Sequence, residues 1–161
     1  GMHGIHEELI EAQADAIGIP LNKIYYPASG DNAAYEKALE LDSENPYVLN
    51  NYAYYLSLRK ENLARAEQMS KKSLELEPGN ASYLDTYGWI LYQQGNYSEA
   101  KTYIEKALEK SAGSAEVLEH MGDVLYRLGQ KEKAAEYWKL AADKGPASED
   151  LKKKIAGTEP F

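Results

Sequence analysis

Leu84-Asp85-Thr86-Tyr87-Gly88-Trp89-Ile90-Leu91-Tyr92-Gln93-Gln94-Gly95-Asn96-Tyr97-Ser98-Glu99-Ala100 returns thirty-four residues later as Leu118-Glu119-His120-Met121-Gly122-Asp123-Val124-Leu125-Tyr126-Arg127-Leu128-Gly129-Gln130-Lys131-Glu132-Lys133-Ala134. Leu, Gly, Leu, Tyr, Gly and Ala recur at the same places, and Ala107 and Ala141 extend the match. A unit of this length cannot bury its own apolar side. It must stack on its neighbours, so the period implies an elongated array instead of a single central core.

Within the unit, Leu84, Tyr87, Ile90 and Leu91 follow helical spacing, as do Ala100, Tyr103, Ile104, Ala107 and Leu108. Gln94-Gly95-Asn96 separates the two helices. The next unit repeats the plan with Leu118, Met121, Val124 and Leu125, a turn at Gly129-Gln130, then Ala134, Tyr137, Trp138, Ala141 and Ala142 before Gly145-Pro146 stops the helix. Each unit therefore reads as a helical hairpin, and the fold class as all-α: a solenoid of antiparallel helix pairs.

These residues resemble the tetratricopeptide repeat. Leu84, Tyr87, Gly88, Leu91, Ala100, Ile104, Ala107 and Ala112 fill its signature places in one unit, and Leu118, Met121, Gly122, Leu125, Ala134, Trp138, Ala141 and Pro146 in the next. The small residues let paired helices approach while the large ones fill the layers between them. Full repeats are expected over 46–80, 81–114 and 115–147. The unit at 46–80 carries Leu49, Tyr52, Ala53 and Leu56, then Ala66, Ser73, Leu74 and the terminator Pro78. It is one residue longer, with the extra residue expected in the turn Arg59-Lys60-Glu61-Asn62. Residues 31–45 read as the second helix of a degenerate first unit, with Asp31 where a small Ala belongs. Over 148–161, Ser148 caps a closing helix carrying Leu151 and Ile155, followed by a frayed tail.

Residues 1–30 depart from the period. Positions 5–17 are strongly helical, Gly18 ends that helix, and Ile19 to Pro27 alternates like an extended connector. Met2-His3-Gly4, Ala12-Gln13-Ala14, Gly18-Ile19-Pro20-Leu21 and Tyr25-Tyr26-Pro27 resemble a piece of the PP-loop ATPases related to diphthine-ammonia ligase, over residues 2–36. That family's nucleotide site needs a Ser-Gly-Gly-Lys-Asp-Ser-like loop, and the sequence has none. The resemblance therefore implies a chimeric N-terminus, a fused or recombined fragment that caps the repeats without activity.

Composition narrows the function. With 26 acidic against 18 basic residues the formal charge is −8, opposite to what a nucleic-acid backbone or an anionic membrane requires. Neither is expected as a partner. The absence of cysteine removes disulfides, thiolate metal sites and cysteine nucleophiles. Fourteen tyrosines against one phenylalanine suit shallow helical layers whose rings are apolar along one edge and wet at the other. Gly1 before Met2 has the look of a tag remnant. The sequence as given therefore sets no bound on a preceding signal peptide, and the default compartment is the cytoplasm.

Chemistry is the weaker expectation. His3 and His6 beside Glu7 and Glu8 are too local to make a metal site, and His120, with no nucleophile beside it, reads as part of a solvated helix face. No catalytic residue, cofactor or metal is expected. The surface with functional promise is the groove lined by the first helix of every repeat: Tyr47, Asn50, Asn51 and Tyr54, then Asp85, Trp89 and Tyr92, then Glu116, Glu119, Asp123 and Tyr126. Domains of the resembled family that hold acidic chaperone C-termini use Lys, Arg and Asn here, whereas this chain offers Asp85, Glu116, Glu119 and Asp123. A basic and apolar peptide is expected in place of an acidic one. The leading reading is a non-enzymatic protein-interaction scaffold. The alternatives are an inactive remnant of a nucleotide-dependent amide-forming enzyme and a module that self-associates into a homo-oligomer through an exposed repeat edge.

Overall fold

The computed structural model describes residues 32–111 and 113–157. The expectations for residues 1–31, for Ala112 and for the tail beyond Gly157 lie outside them. The described chain consists of α1 (Asn32–Leu41), α2 (Pro46–Arg59), α3 (Leu63–Leu76), α4 (Ala81–Gln93), α5 (Tyr97–Lys110), α6 (Ala115–Arg127), α7 (Lys131–Asp143) and α8 (Glu149–Ala156). Helices α2/α3, α4/α5 and α6/α7 form hairpins, and the first helices also pack on one another, α2 on α4 and α4 on α6. The architecture is an all-α helical repeat solenoid, none of whose described helices is long and apolar enough to cross a membrane.

Capping fixes where each first helix begins. Asn45 accepts from Val48 N, Asn80 from Ser82 N and Tyr83 N, Ser114 from Val117 N, and Ser148 from Leu151 N. Helix α2 also has Pro at its start, where a missing N–H costs nothing. Each hairpin turn needs one left-handed residue. Gly95 (φ 85°) and Gly129 (φ 79°) supply it in two turns, and Lys60 (φ 55°) stands at the same place in the first. The register confirms the match: the amides of Lys60 and Glu61 return to Ser57 and Leu56 as those of Gly95 and Asn96 return to Tyr92 and Leu91. The extra residue follows, and Asn62 absorbs it by turning left-handed itself (φ 42°) before α3 begins.

Close approach within hairpins depends on Gly88 and Gly122. A Cβ on Gly88 would stand 2.6 Å from Ile104 Cγ1, and one on Gly122 would stand 2.4 Å from the Trp138 ring. In the first hairpin the same two places hold Ala53 and Ser70, both fully buried. Gaining a methyl on the first helix is thus matched by losing bulk on the second. Apolar burial divides into two clusters. One runs from Tyr35 through Tyr52, Leu56 and Met69 to Ile90, and the other from Leu84 through Ile104, Met121 and Trp138 to Leu151. Helix α4 contributes to both and is the wall between them.

Candidate functional site

Tyr54, Trp89 and Asp123 occupy one register position on α2, α4 and α6, and Asn50, Asp85 and Glu119 occupy another one turn earlier. The face they form is held together by bonds between consecutive repeats. His120 Nδ1 lies 3.1 and 3.0 Å from the two carboxylate oxygens of Asp85, and both residues are buried, at 6% exposure each. Burial opposes a charged imidazole, but Asp85, assisted by Glu116 and Asp123, outweighs it and holds the His120 pKa above the ordinary value. Trp89 lies flat on the imidazole (centroids 4.0 Å, 16°) and also stacks on Tyr92 (4.7 Å, 11°). The solvated-face expectation for His120 is therefore corrected. Its position looks across to α4, where a buried carboxylate waits for it.

Lys154 of α8 repeats this bond one unit later. Its ammonium donates to Glu119 Oε1 (2.7 Å) and Asp123 Oδ2 (2.8 Å), while Trp138 Nε1 donates to Asp123 Oδ1 (2.9 Å). Burial raises the Asp123 carboxyl above its ordinary range against the pull of Lys154 and Trp138. Asp85, Glu119 and Asp123 are thus engaged by cations of the chain itself. Glu116 differs: it is exposed and accepts a hydrogen bond from Tyr54, which reaches past α4 to meet it. Burial and this carboxylate push the Tyr54 phenol well above its usual value.

The remaining predicted residues separate into two kinds. Tyr92 and Tyr126 pack toward the second helices, Tyr92 on Tyr97 (5.4 Å) and Tyr126 on Trp138 (5.7 Å) and beneath Lys131 (5.6 Å). Arg127 Nε also donates to Tyr92 Oη at 3.4 Å. Their rings build the scaffold more than its open face. Tyr47 is half-buried, and Asn50 donates to Asn51 Oδ1 at 3.3 Å. Two polar atoms on this face, Trp89 Nε1 and Asn50 Oδ1, are buried without a hydrogen-bond partner. Such groups are rare because each forfeits its hydration.

His120, Lys154 and Arg127 are the residues of this face that sequence reasoning missed. Each meets a partner thirty-five residues earlier: Asp85, Glu119 and Tyr92. One residue more than the period would have found them. Among the described residues no three His, Asp or Glu side chains gather into a site fit for a metal ion.

Comparison with known proteins agrees with the helical-repeat fold. Two family models described as tetratricopeptide repeat match residues 34–68 and 88–149. The chain is similar to the crystal structure of YrrB, described as a tetratricopeptide repeat protein with an unusual peptide-binding site, at 28% identity and a TM-score of 0.63, over 76% of this chain and 62% of that one. It is similar to PilF of Pseudomonas aeruginosa at 26% identity and a TM-score of 0.63, over 79% and 64% of the two chains. A tetratricopeptide repeat protein from Parabacteroides merdae shares the fold at 20% identity and a TM-score of 0.70, over 79% and 49%. The chain thus spans less than two thirds of each of these proteins. A comparison with curated proteins finds no match.

Proposed function

As an array of tetratricopeptide repeats, this chain is, we propose, a non-enzymatic scaffold that recruits a partner protein by holding a peptide segment along the face of α2, α4 and α6. The observation that carries this reading is Trp89. Its ring is only partly covered, is held rigid by His120 and Tyr92, and keeps an indole N–H with no acceptor. A preordered aromatic surface is the kind of anchor that dominates peptide recognition. The peptide-binding site that the description of YrrB ascribes to that protein is consistent with it.

The ligand is a segment with apolar side chains and a basic group set opposite Glu116. Because Asp85, Glu119 and Asp123 are neutralised internally, electrostatics contributes less than the acidic sequence suggests, and raising salt weakens binding only a few-fold. Trp89→Ala is expected to cost about 2 kcal/mol, roughly thirtyfold in affinity. A pull-down from the source cell that returns the same partners for wild type and Trp89→Ala would remove this face from consideration.

A further inference from the structure

Residues of α3, α4 and α5 line an open cavity of about 360 Å³, within the size range of ligand sites. Its apolar lining is Leu74, Pro78, Leu84, Tyr87 and Tyr103, with the two tyrosine rings edge to face at 4.6 Å. Lys71, Lys106 and Lys110 stand around it, together with Glu75 and Glu109. In a chain of net charge −8 this lining is net positive. Lys106 rests over the Tyr103 ring at 5.0 Å. Among the described residues none of the three lysines has a carboxylate within ion-pair distance, whereas Lys72 is paired with Glu44 and Lys101 with Glu105.

The charge is particular to this pair of repeats. One period on, Lys71 becomes Glu105 and Lys106 becomes Leu140, and only Lys110 keeps its sign as Lys144. Glu105 is, moreover, occupied by Lys101. Stacking alone does not require lysines at these places, since the next unit stacks without them.

We propose that this cavity is a second binding site, which takes an acidic segment of a partner protein by seating one aromatic side chain on Leu74, Leu84, Tyr87 and Tyr103 with flanking carboxylates on Lys71, Lys106 and Lys110. An aromatic ring matches the edge-to-face floor and removes the most apolar area for one side chain. Carboxylates find ammonium groups that no carboxylate of the described chain pairs with, while Glu75 and Glu109 repel segments with acids at every position. The site shares α4 with Trp89 but uses other residues of it, together with α3 and α5, and prefers the opposite charge. It stands or falls independently of the peptide face.

The test is a titration of the isotope-labelled full chain, followed by amide NMR, with a short blocked peptide of two aspartates, a phenylalanine and two aspartates, against its lysine counterpart. The acidic peptide is expected to perturb amides around Lys71 and Tyr103, and the lysine peptide to leave them unmoved. Lys71→Glu with Lys106→Glu, both at exposed positions, should weaken binding about tenfold or more while leaving the circular dichroism spectrum unchanged. Roughly 0.5 M salt should weaken it as well. Equal response to both peptides, unchanged affinity in the double variant, perturbation confined to α2, α6 and the amides around Trp89, or none near Lys71 and Tyr103 at millimolar peptide would each overturn the proposal.

Discussion

Gly122 and Trp138 share a space that one more methyl group would overfill, since a Cβ there meets the indole at 2.4 Å. The ring cannot retreat without breaking its bond to Asp123. In the first hairpin the bulk is distributed the other way, Ala53 opposite Ser70, and Ser70 Oγ is left buried with no partner. Two consequences follow from one volume rule. Gly122→Ala should destabilise the chain by about 1–2 kcal/mol in denaturant unfolding, because overpacking exceeds the helix-propensity gain of about 1 kcal/mol. Ser70→Ile should also destabilise it alone, and Ala53→Gly added to it should recover part of that loss. A double variant no better than the sum of its parts would mean that the two side chains do not share the space.

Between elements, the bond from α6 to α4 through His120 and Asp85 gives the array a pH dependence. A folded-state pKa above the unfolded value means that the pair contributes fully below about pH 6.5. That contribution is lost as pH rises through the raised folded-state value. Unfolding free energy should therefore decline on going from mildly acidic to alkaline pH, and Asp85→Asn should flatten that slope. The variant should also lose about 2 kcal/mol at pH 6. An unchanged slope in Asp85→Asn would assign the dependence to another group. This bond also shows where sequence reading stops. The helices from Asn32 onward, the extra residue in the turn Arg59-Lys60-Glu61-Asn62 and the Ser148 cap were legible because each rests on local spacing and local backbone chemistry. Which residue of one first helix faces which of the next depends on how consecutive hairpins rotate, and that rotation converts a period of thirty-four into partners thirty-five apart. Acidic residues that looked available to a ligand proved to be joints of the scaffold for this reason.

At the scale of the array, the two apolar clusters of the described residues meet chiefly at α4, which lends Ile90 to one and Leu84, Tyr87 and Leu91 to the other, while Leu74 of α3 packs against the second. Arrays of this kind open unit by unit instead of all at once. Ile90→Ala should cost about 3 kcal/mol, and hydrogen exchange should show the loss in α1 to α3 while α5 to α8 keep their protection. Uniform loss along the chain would mean that the clusters unfold as one. The caps of the first helices, Asn45, Asn80, Ser114 and Ser148, stand thirty-five, thirty-four and thirty-four residues apart. Helix α8 therefore starts in step with the others, and its Lys154 grips Glu119 from the place where His120 grips Asp85. Helix α8 holds the place of the first helix of a further unit, so a duplicated 34-residue segment spliced in ahead of Ser148 would present α8 with the same ledge it now rests on, and the array could lengthen without loss of that joint.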